Sequence, residues 1–145
     1  MGGVYKRNRK SSALEKFLLI EDIKKELIKM KRSSFHYFEN EERTTYDELM
    51  NSINQISKHM TTCKTTTNVN NKEEIKIECT EKSIYLIEYM IQTLQTYYIE
   101  NDFIHLNTKR AEKMRKRIFR LGEDAIKLSK KLRKYLKGLK QRTKP

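Results

Sequence analysis

From Ala111 to Leu139, apolar side chains recur every three or four residues without a break: Ala111, Met114, Ile118, Leu121, Ala125, Leu128, Leu132, Tyr135 and Leu139. A period near 3.5 held over four heptads fits a long helix with a narrow apolar seam, because only a helix returns such positions to one side. A seam of that length needs other helices to cover it. The chain is built to supply them, since breakers are scarce: four glycines and one proline, Pro145, among 145 residues. That scarcity excludes a barrel, a sandwich or a glycine-cradled nucleotide fold, each of which needs many tight turns.

Three earlier segments show the same periodicity. Ser12 and Glu15 have capping-box spacing, which predicts a first helix with the stripe Ala13, Phe17, Ile20, Ile23, Leu27 and Met30, widened by Leu14 and Leu18. It is expected to end near Lys31-Arg32-Ser33-Ser34, before an aromatic connector at Phe35-His36-Tyr37-Phe38. A second helix is predicted from Thr44 or Thr45, with Tyr46, Leu49, Ile53, Ile56, Met60 and Cys63 inward. The Asn-rich stretch Thr65-Thr66-Thr67-Asn68-Val69-Asn70-Asn71 reads as a loop. Asn70 or Asn71 then caps a third helix, with Glu73 and Glu74 in its first turn and Ile84, Ile87, Ile91, Leu94 and Tyr98 inward. A turn near Asn101-Asp102 to Asn107 leads to the last helix. The expectation is an all-α antiparallel four-helix bundle over residues 12–140, with a basic disordered arm at 1–11 and a basic tail at 141–145. A long coiled-coil hairpin is the structural alternative.

The net charge of +13 is unevenly placed. Residues 109–144 hold sixteen Lys and Arg against Glu112, Glu123 and Asp124, while basic and acidic groups cancel over residues 1–108. On a helical wheel Lys113, Lys116, Arg120, Lys127, Lys130, Lys131 and Lys134 fall opposite the seam, flanked by Arg115, Arg133 and Lys137. A solvated face ordinarily interleaves signs at i,i+4. Here Lys116 with Arg120, Lys127 with Lys131, and Lys130 with Lys134 are like charges at that spacing, which repel by a few tenths of a kcal/mol per pair. Such a stripe, with Lys6, Arg7, Arg9 and Lys10 near the start, predicts contact with a polyanion, nucleic acid first. Phosphate contacts of this kind carry no sequence choice, and no helix-turn-helix, zinc-finger or ribonucleoprotein signature accompanies them.

Nothing points to catalysis or to a cofactor: there is no P-loop, no GxGxxG, no HExxH and no Ser-His-Asp order of note. His59 and Cys63 at i,i+4, with Cys79, are a conceivable metal site, but no second ligand pair exists and core packing is the better reading. No metal is expected. Tyr85 is placed beside the seam of the third helix, and Tyr89 is the ring expected to be exposed. No stretch reaches the roughly 20 apolar residues of a membrane span, and Met1 to Arg7 lacks the apolar core of a secretory signal. A cytoplasmic protein in a reducing compartment is expected.

An order of features runs through nearly the whole chain: Lys6-Arg7-Asn8-Arg9-Lys10-Ser11 before Leu14-Glu15-Lys16-Phe17-Leu18, then Asn68-Val69-Asn70-Asn71-Lys72-Glu73, Tyr85-Leu86-Ile87-Glu88 and Phe103-Ile104-His105-Leu106-Asn107, and finally Ala125-Ile126-Lys127-Leu128-Ser129-Lys130-Lys131-Leu132. In this order the chain resembles the accessory variability determinant (Avd) proteins of diversity-generating retroelements, small bacterial four-helix bundles. The resemblance implies a homopentameric ring, encoded by a bacterium or phage. It also implies binding to the element's reverse transcriptase and to RNA, RNA–DNA hybrid or duplex DNA, in support of mutagenic cDNA synthesis. The residues it carries over are the basic face from Arg115 to Lys137 and the N-terminal arm. Its rivals are a helical adaptor that docks its basic face on an acidic protein, a peripheral membrane helix, and a chromatin-associated factor of a eukaryote or virus.

Overall fold

The computed structural model describes residues 2–34, 40–66, 71–100 and 108–143, and side chains over 14–30, 45–66, 71–96, 109, 112–113 and 115–142. Four helices make up this structure: α1 (Gly2–Ser34), α2 (Asn40–Thr65), α3 (Lys72–Glu100) and α4 (Thr108–Thr143). No strand occurs among the described residues. Each helix packs on two neighbours, α1 on α2 and α4, and α3 on α2 and α4, so the four enclose one core.

That core is drawn largely from the seams read from the sequence, with Phe17 and Tyr135 half-buried at its edge. Ile20, Ile23, Leu27 and Met30 of α1 meet Leu49, Ile53, Ile56 and Met60 of α2, Ile87 and Leu94 of α3, and Leu121, Ala125, Leu128 and Leu132 of α4. Each large aliphatic side chain removed from water contributes about 1.5–3 kcal/mol, which outweighs the weak intrinsic stability of helices built from so many like charges. All six residues predicted to face inward from α2, Tyr46 through Cys63, are buried. In α3 the register is shifted slightly: Met90 is buried, while Ile91 is half-buried at the edge.

Local signals explain most boundaries. The Asn71 carbonyl accepts the amide of Ile75 at 3.1 Å, and Glu73 and Glu74 occupy the first turn of α3, where the helix dipole favours anions. At the far end of α2, the hydroxyls of Thr61, Thr62, Thr65 and Thr66 donate to carbonyls four residues earlier, at 2.6–3.0 Å. The helix therefore meets the Asn-rich segment with its last turns already tied to their own side chains.

Two starts differ from expectation. The backbone is helical from Gly2, ten residues before Ser12, so Ser12 and Glu15 do not open α1 and the segment expected as a disordered arm belongs to the helix. From Tyr5 to Ser11 there is no Gly or Pro, and Lys and Arg propagate a helix well. Likewise α2 begins at Asn40 rather than at Thr44 or Thr45. Asn40 is of capping type, and Glu41 and Glu42 follow it where a helix N-terminus favours acids. A third difference concerns width: Leu14 and Leu18 are 57% and 50% exposed and do not broaden the α1 stripe. They lie on the side that neither α2 nor α4 covers. Ala13, Tyr98, Ala111 and Met114 lie outside the described side chains, as does the Phe35–Phe38 connector.

Candidate nucleic-acid interface

Packing of α4 against α1 on one side and α3 on the other divides most of its described basic residues into three sets. On the α3 side, Arg133 forms an ion pair with Glu88, and Lys140 lies 3.7 Å from Glu81. On the α1 side, Lys131 pairs with Glu15. The third set, Lys116, Arg120, Lys127, Lys130, Lys134 and Lys137, is exposed and makes no ion pair among the described residues. Spacings of 3, 4, 7 and 11 residues keep these six on one outward stripe, about 32 Å long at 1.5 Å per residue.

Lys131 and Arg133, expected in the same stripe, are instead paired with acids of the neighbouring helices. Lys113 is exposed one turn beyond the stripe, and Arg115 is half-buried on its α3 flank. Arg115 borders a shallow hollow with Lys116, Phe119, Arg120 and Glu123. The side chains of Lys6, Arg7, Arg9 and Lys10 lie outside the described residues.

Two aromatic residues change the picture of this surface. Tyr85, expected beside the core, is 72% exposed on α3, and Tyr89 is 45% exposed. Phe119, which the seam pattern leaves unassigned, is 64% exposed on the outer side of α4. Both Tyr85 and Phe119 immediately follow a core residue, Ile84 and Ile118. A step of 100° past the seam carried them outward, and that phase was the available signal.

Elsewhere the titratable groups are absorbed by packing. Lys16 lies over the Tyr135 ring, its nitrogen 3.5 Å from the centroid. Burial lowers the Lys16 pKa, and nearby Arg142 and Lys131 push in the same direction. Cys63 and Cys79 are free and buried. The Cys63 thiol donates to the Lys76 carbonyl at 3.5 Å and lies 3.7 Å from the Thr80 hydroxyl, and burial raises its pKa. That environment keeps the thiol protonated, opposite to what a metal ligand or nucleophile requires. Among the described residues no three His, Cys, Asp or Glu side chains converge as a metal site would need. No helix among them is long and apolar enough to cross a membrane.

Comparison of the chain with protein families, with characterised proteins and with solved structures finds no match. The reading of function therefore rests on the surface itself.

Proposed function

We propose that this chain is a non-catalytic, cytoplasmic nucleic-acid-binding subunit, an antiparallel bundle that grips phosphates through the outer face of α4. The observation that carries the reading is the set of six exposed like charges at Lys116, Arg120, Lys127, Lys130, Lys134 and Lys137, which make no ion pair among the described residues while the adjacent Lys131 and Arg133 are paired. Opposed order in the α3–α4 pairs, Glu81 with Lys140 and Glu88 with Arg133, supports the antiparallel arrangement. Six phosphate contacts predict log K falling against log salt with a slope of about −5 on duplex DNA.

Reversing Lys116, Arg120, Lys127 and Lys134 to Glu tests this directly. Fluorescence anisotropy at 0.1 M salt is expected to show at least a hundredfold loss of affinity for RNA and DNA, with helicity unchanged by circular dichroism. Reversal of Lys24, which is paired with Glu21 on α1, is expected to cost less than threefold. Undiminished binding by the fourfold variant would reduce the stripe to a solvated surface.

The resemblance to the Avd proteins narrows the partner to the reverse transcriptase of a diversity-generating retroelement, with the chain assembled as a homopentameric ring beside its template RNA and cDNA. Light scattering on the purified protein is expected to give five copies, and co-expression with such a reverse transcriptase a stable complex. A second reading is an adaptor for an acidic protein. An apolar groove of about 270 Å³ between α3 and α4 favours it, lined by Ile91, Ile118, Phe119 and Ile126 and flanked by the Arg115, Lys116 and Arg120 cations. Affinity for an acidic protein with none for RNA or DNA is its signature.

A further inference from the structure

Two rings that the phosphate stripe does not use stand on α3, the helix packed beside α4. Tyr85 and Tyr89 are spaced i,i+4, which places both on the outer face of α3 about one turn apart. The acids that flank them are neutralised, Glu78 by Lys82 at 3.0 Å, Glu81 by Lys140 and Glu88 by Arg133. The rings therefore occupy a strip that does not repel a polyanion. The same pairs fix the register between helices. Along the bundle axis Tyr85 lies between Glu81 and Glu88, at the level of the part of α4 between Arg133 and Lys140 that carries Lys134 and Lys137.

Tyr85 also rims a shallow hollow of about 380 Å³ that contains Gln55, His59 and Lys82. The Gln55 amide offers both donors and an acceptor. Burial, reinforced by Lys82, lowers the His59 pKa, so at neutral pH its imidazole also presents one donor and one acceptor. A ring flanked by such groups suits an unpaired base, which has a π-face to stack and an edge to hydrogen-bond.

Spacing selects the form of the polymer. Four residues of helix separate the two rings by about 6 Å along the axis, against about 3.4 Å per nucleotide in a stacked strand. Neighbouring bases can each cover a ring only when they are pulled apart, as in an extended single strand. In a duplex the faces of the bases are closed within the stack.

We propose that the outer face of α3 is a stacking platform for single-stranded nucleic acid, with phosphates held by Lys134 and Lys137 of α4 and unpaired bases lying on Tyr85 and Tyr89. The proposal rests on the phosphate-binding reading of α4 and adds the strandedness of the polymer. RNA and DNA share the chemistry it needs.

The test compares the whole chain with its Tyr85→Ala/Tyr89→Ala and Tyr85→Phe/Tyr89→Phe variants. Each is titrated at 0.1 M salt with a 20-nucleotide single-stranded RNA, the same sequence as single-stranded DNA, and the DNA duplex. Because the chain has no tryptophan, its emission comes from its eight tyrosines, and the difference in quenching between the native chain and the variants reports the contact. The platform predicts at least a tenfold loss for both single strands in the alanine variant, less than threefold for the duplex, and an unchanged salt slope. It further predicts near-native single-strand affinity in the phenylalanine variant, and tyrosine quenching by single strands that diminishes in the alanine variant. Unchanged single-strand affinity in the alanine variant, or an equal loss on duplex, would overturn the platform. The fourfold charge-reversal variant separates the two readings. If it loses binding while the alanine variant does not, the platform falls and the phosphate grip stands; if it binds normally, the phosphate reading falls and takes the platform with it.

Discussion

Along one side of the bundle two helices present their outer faces next to each other. On α3, Glu78 is matched to Lys82 one turn away, and Glu81 and Glu88 are matched to Lys140 and Arg133 across the helix contact. On α4, Lys116 faces Arg120 and Lys130 faces Lys134 at the same i,i+4 spacing with no acid between them. Both faces are rich in charge and exposed. One is arranged to cancel it and the other to accumulate it. Isolated surface pairs of the α3 kind contribute little to stability, about 0–1 kcal/mol each. The difference therefore concerns the field each face projects more than how strongly the fold holds together.

The contrast can be attacked from either side. The largest effect is expected from making α3 resemble α4: Glu78→Gln and Glu88→Gln together release Lys82 and Arg133. Affinity for nucleic acid at low salt is then expected to rise about tenfold, with a salt slope steeper by about two. An unchanged slope would mean that paired cations already contact phosphates and that the distinction between the faces is empty. A smaller effect follows from making α4 resemble α3. Lys134→Glu places an acid three or four residues from Lys130, Lys131 and Lys137. Urea unfolding is expected to show a gain of about 0.5–1 kcal/mol while affinity falls. Loss of stability in that variant would refute self-repulsion along the stripe.

The smallest effect concerns the α1 side of α4. Burial raises the Asp124 pKa above its ordinary 3.8; Lys127 offsets this, and Asp22, Glu123 and Glu26 add to the rise. The folded protein thus holds that proton more tightly than the unfolded chain, and the ionised carboxylate disfavours folding at neutral pH. Asp124→Asn is expected to raise the urea midpoint at pH 7. The gain should fade as pH falls through the raised pKa and vanish below 3.8, where both states are protonated. A gain that persists at low pH would assign the effect to packing instead of charge.

The sequence carried the inward half of this architecture well, because a seam has the same period as the helix that bears it. Tyr46, Leu49, Ile53, Ile56, Met60 and Cys63 could be placed from spacing alone. Periodicity gives an angle about a helix's own axis and says nothing of where the neighbouring helix sits. That is why Leu14, Leu18 and Tyr85, all close to a seam, were expected to be covered and prove exposed. The same limit applies to the site. The outward direction of Lys116, Arg120, Lys127, Lys130, Lys134 and Lys137 follows from α4 by itself. The neutralisation of Lys131 and Arg133 depends on Glu15 and Glu88, which reach them only through tertiary packing.

One-sided charge also has a kinetic meaning. A molecule whose excess cations lie along a single helix carries a large permanent dipole, and an approaching polyanion applies a torque to it before the surfaces touch. Encounters are turned toward α4 in advance, so a greater share of collisions is productive and association speeds up as salt is lowered. Spreading the same cations evenly over the four helices would leave the net charge unchanged and remove this pre-alignment. For a polyanion bound as proposed, arrival as well as retention would be set by where α4 faces.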